Sequence, residues 1–144
     1  MAHYRTLDVY EIFEEFGKQT TRAKRKEVLL KHGNIAALTD VLRGTFDDSL
    51  VFTLPEGTPP YTKNKPESTP SRLIAKHKDF GYFVRGGPGD NMQSHKKESL
   101  FIRLLESIHA QDAEIVLSMV QKKAPVKFLT KKLVQETFPN LIKK

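Results

Sequence analysis

Leu100, Phe101, Leu104, Leu105 and Ile108 recur at i, i+1, i+4, i+5 and i+8, a spacing that an α-helix turns into one apolar face. Ile115, Val116, Met119 and Val120 repeat the pattern in a helix that Asp112 opens and Pro125 breaks. Thr130 then caps a last helix with Leu133, Val134 and Phe138 inward, and Pro139 terminates it. Short amphipathic helices have to bury their stripes against one another. The expected fold is therefore all-α, an orthogonal bundle of about six helices.

The first half of the chain reads the same way. Leu7 to Phe16 is an acidic helix with Thr6 as cap: Val9, Tyr10, Phe13 and Phe16 recur at helical spacing, and Asp8, Glu11, Glu14 and Glu15 fill the other positions. Gly17 ends it. Thr20 to His32 forms a second helix with Thr20 or Thr21 as cap and Gly33 as stop, and Asn34 caps a third from Ile35 to Arg43. The β-branched and aromatic run Leu50 to Leu54 predicts a short extended segment. Five of the eight prolines fall between positions 55 and 70, so an irregular Pro-rich loop is expected there. Ser71 to Phe80 could form a modest helix, and Gly86-Gly87-Pro88-Gly89-Asp90 a turn or mobile loop.

A length of 144 residues suits one domain, 1–144, able to bury its own core. No apolar run approaches the roughly 20 residues of a membrane span. Acids inside the N-terminal apolar stretch exclude a signal or transit peptide. With no cysteine, disulfides, thiol nucleophiles and Cys-ligated zinc are excluded, and a cytoplasmic location is expected (the host cytoplasm if the chain is viral).

Catalytic and metal motifs are weak. His3, His32, His77, His95 and His109 include no i, i+4 pair, so no metal or other cofactor is expected. Gly86 to Gly89 lacks the Gly-Lys-Ser/Thr of a phosphate loop, and Asp79-Phe80-Gly81 lacks the partners of a kinase motif. Neither Asp47-Asp48 nor Glu14-Glu15 looks like a general acid/base pair. The chain is read as non-enzymatic.

Its charge is more informative. The net balance is +7 and the pI near 9.6, which favours an anionic partner, nucleic acid first. Seven of the last 24 residues are Lys (122, 123, 127, 131, 132, 143 and 144) against one acid, Glu136. These lysines sit at helix ends, where cations and backbone N–H groups can converge on a phosphate. Arg22, Lys24, Arg25 and Lys26 form a second cluster, although on a helical wheel they spread around more than half the circumference. His95 with Lys96-Lys97, and Arg85, are lesser candidates. Among the aromatics, Tyr61 and Tyr82 are expected to be reachable; Phe46, Phe52, Phe80 and Phe83 are expected in the core.

The order of segments resembles the N-terminal helical DNA-binding domain of ATP-dependent DNA ligases, in the compact form of T-even phage ligase. TTRAKRKEVLLKH is followed by AALTDVLRGTF, then SLVFTLPEGTPP, ESLFIRLLESI, DAEIVLSMVQKK and finally LTKKLVQETFPNLI, which covers roughly Thr20 to Ile142. The resemblance implies an all-α domain, 20–142, that grips duplex DNA through its phosphates, with the acidic helix of 1–19 as an addition. The positions implied for DNA contact are Thr21, Arg22, Lys24 and Arg25 on the second helix. To these it adds Lys122, Lys123, Lys127, Thr130, Lys131 and Lys132 around the last connector. The family often places Gly just before the last helix's cap, so that backbone amides approach a phosphate. Here the stretch is Lys127-Phe128-Leu129-Thr130, and lysine side chains are expected to replace that contact. The Lys-x-Asp-Gly of adenylation is absent; Lys76-His77-Lys78-Asp79-Phe80-Gly81 has the wrong spacing.

The resulting expectation is a stand-alone, non-catalytic grip on double-stranded DNA, intact or nicked, as a phage accessory factor in replication, repair or transcription. The alternative is an adaptor or inhibitor that binds an acidic surface of such a protein, with the acidic first helix as a partner-binding addition or a mask over the basic face.

Overall fold

A computed structural model of the chain describes residues 7–54, 59–64 and 71–142. Among these residues the chain forms seven α-helices and no strand: α1 (Val9–Gly17), α2 (Arg22–Lys31), α3 (Ala36–Phe46), α4 (Leu73–Lys76), α5 (Ser94–Ser107), α6 (Ala110–Val120) and α7 (Lys131–Thr137). A 3-10 segment, His77–Phe83, continues α4. The all-α expectation holds. Thr6, parts of the Pro-rich loop, Lys143 and Lys144 lie outside the described residues.

Helices α3 and α6 pack together at the centre, α1 lies against α2 and α6, and α7 lies against α2. Close approach of α3 to α6 depends on Gly44, where a Cβ would meet the Met119 Sδ at 2.5 Å. Of the stripes read from sequence, Val9, Phe16, Leu38, Leu105, Met119 and Leu133 are all fully buried. Each such side chain contributes roughly 1.5–3 kcal/mol by leaving water. Since Val9, Ile12, Phe13 and Phe16 of α1 all belong to the core, the acidic helix is built into the bundle.

Several boundaries differ from expectation. The first helix starts at Val9, with Asp8 as N-cap and the Glu11 carboxylate accepting the Asp8 N–H at 3.0 Å. The third helix begins at Ala36, not at Ile35 after an Asn34 cap. It runs on to Phe46 because Gly44 and Thr45 are buried against neighbours, with the Thr45 hydroxyl donating to the Val41 carbonyl at 2.8 Å. His109, rather than Asp112, caps α6: its Nδ1 accepts the Gln111 N–H at 3.1 Å. Thr21 and Thr130 do cap α2 and α7, accepting from the Lys24 N–H at 3.2 Å and the Leu133 N–H at 3.1 Å.

The extended run contributes one isolated antiparallel bridge, Phe52 to Val84, flanked by hydrogen bonds from Thr53 to Phe83 and from Arg85 to Val51. The glycine turn after it is packed down. A Cβ on Gly89 would lie 2.0 Å from the Tyr82 carbonyl oxygen, and the Asp90 carboxylate accepts the Gly86 N–H at 2.8 Å. On the described part of the Pro-rich loop, the Asn64 amide donates to the carbonyls of Glu106 and Ile108 and so closes the end of α5.

Candidate nucleic-acid interface

Two basic segments that are about a hundred residues apart in sequence meet where α2 packs on α7. Thr21 caps the start of α2. The Arg25 guanidinium, from α2, lies 4.0 Å from the ring centroid of Phe128, in the connector between α6 and α7. It also donates to the Gln19 carbonyl at 3.1 Å. The Lys127 ammonium lies 5.2 Å from the same ring. Such cation–π contacts contribute about 0.5–1 kcal/mol at exposed sites. Lys24 is exposed, and among the described residues neither Lys24 nor Lys127 has an acidic partner.

Acids restrain the rest of this face. Glu136 of α7 pairs with Arg22 and, at 3.5 Å, with Lys26. The Arg22 hydrogen bond holds the Glu136 carboxyl below the usual carboxylate range. Arg22 is thus in place but neutralised. Sequence reading set Glu136 aside as one acid among many lysines; the fold puts it against two cations.

Two of the expected phosphate ligands point elsewhere. Lys122 ends α6 in a Schellman arrangement: its N–H bonds the Met119 carbonyl at 3.0 Å, the Lys123 N–H bonds Ser118 at 2.9 Å, and Lys122 itself takes a φ of 59°. Its ammonium then donates to the carbonyls of Gly44 at 2.7 Å and Asp47 at 2.9 Å, and lies 5.3 Å from the Phe52 ring. Burial lowers its pKa from the usual lysine value. Lys122 is therefore a cation on the C-terminal carbonyls of α3. Lys131 turns the same way, pairing with Asp48 at 2.9 Å. Lys123 and Lys132 are exposed and have no acidic partner among the described residues. The Thr130 hydroxyl oxygen accepts the Leu133 N–H in the cap, which leaves its O–H as a donor on this exposed edge.

The lesser candidates separate cleanly. Lys97 is buried and donates to the Thr53 hydroxyl at 2.8 Å, so it adds nothing to a phosphate surface. Arg85 is exposed. Tyr82 is exposed as expected, whereas Tyr61 is half-buried and burial raises its pKa. No group of three or more His, Asp or Glu side chains that could hold a metal occurs among the described residues, and no helix there is long and apolar enough to cross a membrane.

The acids of α1 are largely engaged within the molecule. Asp8 pairs with Arg72 at 2.7 Å, and Glu15 with Lys31 at 2.9 Å and His32 at 3.2 Å, the Lys31 bond lowering its pKa. Glu14 alone of the four faces solvent without a described partner.

Asp112 was read as a helix opener; it lies in the first turn of α6 but is fully buried there. Its Oδ1 accepts the Tyr10 N–H at 2.9 Å and its Oδ2 has no hydrogen-bond partner among the described residues. Burial, together with Asp8 and Glu11 nearby, pushes its pKa up to about 7. Phe128 is the other residue sequence reading passed over. Its φ of 71° is the left-handed conformation that a glycine would take without strain.

Residues 12–125 match the model of a family of unknown function (DUF6433), and the chain belongs to that family. No curated protein matches it.

Proposed function

We propose that this member of the DUF6433 family is a non-catalytic protein that grips the phosphate backbone of double-stranded DNA, intact or nicked, with little base discrimination. Its setting would be that of a phage-type accessory factor in replication, repair or transcription. One observation supports this above the others. The start of α2 and the connector into α7 meet at Arg25 and Phe128, with Lys24 and Lys127 beside them and without acidic partners among the described residues. Cations gathered from two distant segments suit a polyanion whose condensed counterions they would release.

The mechanism is electrostatic. Lys24, Arg25 and Lys127 would neutralise phosphates directly, and Thr21 fixes the helix end that carries two of them. At about −0.9 per phosphate for duplex DNA, three contacts give a slope of log K against log salt near −3. Engagement of Lys123 and Lys132 as well would bring it to about −4 to −5.

Salt-titrated fluorescence anisotropy on a labelled duplex tests this. The double change Lys24→Glu with Lys127→Glu is expected to weaken binding by roughly tenfold or more near 0.1 M salt and to make the slope shallower by about 2. Both side chains are exposed, so the fold should be unaffected. Unchanged affinity and slope would refute the proposal. The adaptor alternative has weaker support, because most of the acids on α1 are already paired within the molecule.

A further inference from the structure

Phe128 combines three properties that core packing does not explain. Its φ of 71° lies in the left-handed region, where a bulky side chain is an outlier. Its side chain is nevertheless directed outward, leaving the residue 53% exposed. Two cations, Arg25 and Lys127, stand over its ring. The backbone on either side is anchored. Leu129 is buried, Thr130 caps α7, and Val126 packs against the end of α1 beside Gly17. The ring is thus presented on a fixed base, at a backbone cost that the surrounding structure sustains.

We propose that Phe128 is a stacking platform for an unpaired nucleobase, so that the chain favours DNA offering one (a gap, an overhang or a single strand) over intact duplex. This deepens the DNA-binding proposal and rests on it. A nucleobase presents a π-face to the ring whatever its identity, and the phosphates flanking it would meet the cations already in place. Arg25 adds a guanidinium plane on which a neighbouring base can also lie. An acidic protein surface would satisfy the lysines but would give an outward phenyl ring little to stack on.

The experiment compares the full-length chain with its Phe128→Leu, Phe128→Gly and Phe128→Trp variants. The probes are oligo(dT), an intact duplex, and the same duplex carrying a gap of a few bases. Base–aromatic stacking makes a loss of roughly tenfold or more the expected result for oligo(dT) and gapped DNA with Leu or Gly at 128, with affinity for intact duplex nearly unchanged. Trp should retain the preference. The Gly variant relieves the left-handed backbone and should melt no lower than the parent, so a loss of binding cannot be ascribed to unfolding. Equal effects on all three DNAs, or none on any, would overturn the stacking platform and leave the duplex-binding proposal standing. Failure of the parent chain to bind any of the three would overturn both.

Discussion

Replacing Asp112 by Asn should change how the stability of this protein depends on pH. Asp112 is fully buried, and its carboxyl has a pKa of about 7 against an ordinary value of 3.8. The folded state therefore holds this proton more tightly than the unfolded chain does. By linkage, the associated stability is fully present below about pH 4 and is lost progressively as the pH rises through about 7. A difference of roughly three units, at about 1.36 kcal/mol each, amounts to on the order of 4 kcal/mol. Asparagine cannot ionise, yet its oxygen can still accept the Tyr10 N–H. Urea denaturation of parent and variant, followed by circular dichroism between pH 4.5 and 8, isolates the effect, because every other titrating group is common to both. The gap between the two should be smallest at the acid end of this range. With rising pH the variant should become the more stable, the gap growing from about pH 4 to about 7 and levelling off above that at up to about 4 kcal/mol. A difference between the two proteins that stays flat across the range, or shrinks with rising pH, would refute the buried, proton-binding carboxyl.

Two further changes separate binding from architecture. Glu136→Gln frees Arg22 and Lys26, and is expected to strengthen duplex binding several-fold at low salt and to steepen the salt slope by about 1–2; anisotropy titrations at a series of salt concentrations would register it. Lys122→Met removes the ammonium from the Gly44 and Asp47 carbonyls and should cost about 1–2 kcal/mol, seen as a melting temperature lower by several degrees in calorimetry, with DNA affinity unaltered. A weaker grip on DNA in a still-folded Lys122→Met protein would return that residue to the interface.

Periodicity and caps carried most of the architecture into the sequence. The stripes of α5 and α6 and the threonines before α2 and α7 are local signals, and local physics decides them. The end of α3 was not legible, because Gly44 and Thr45 stay helical through burial against α6 and Phe52, contacts that no local window contains. Ser71 to Phe80 divides into a single α-turn and a 3-10 segment because the glycine turn at 86–89 packs back onto it, as Gly89 under the Tyr82 carbonyl illustrates.

At the candidate interface, charge could be read from the sequence but pairing could not. Lys122 and Lys127 look alike in a string of residues. The sign of φ at position 122 and the reach of its side chain to Gly44 send one inward, while Lys127 remains beside Phe128. Asp112 likewise carried the residue type of a helix opener, and only the packing of α1 over α6 reveals it as a buried acid.

The left-handed backbone at Phe128 sets thermal selection and functional selection against each other at a single position. A library randomised there and screened for heat resistance should converge on glycine, since glycine removes the strain and nothing in the core needs the ring. The same library screened for retention on single-stranded DNA should converge on aromatic residues. The two populations would have almost no members in common.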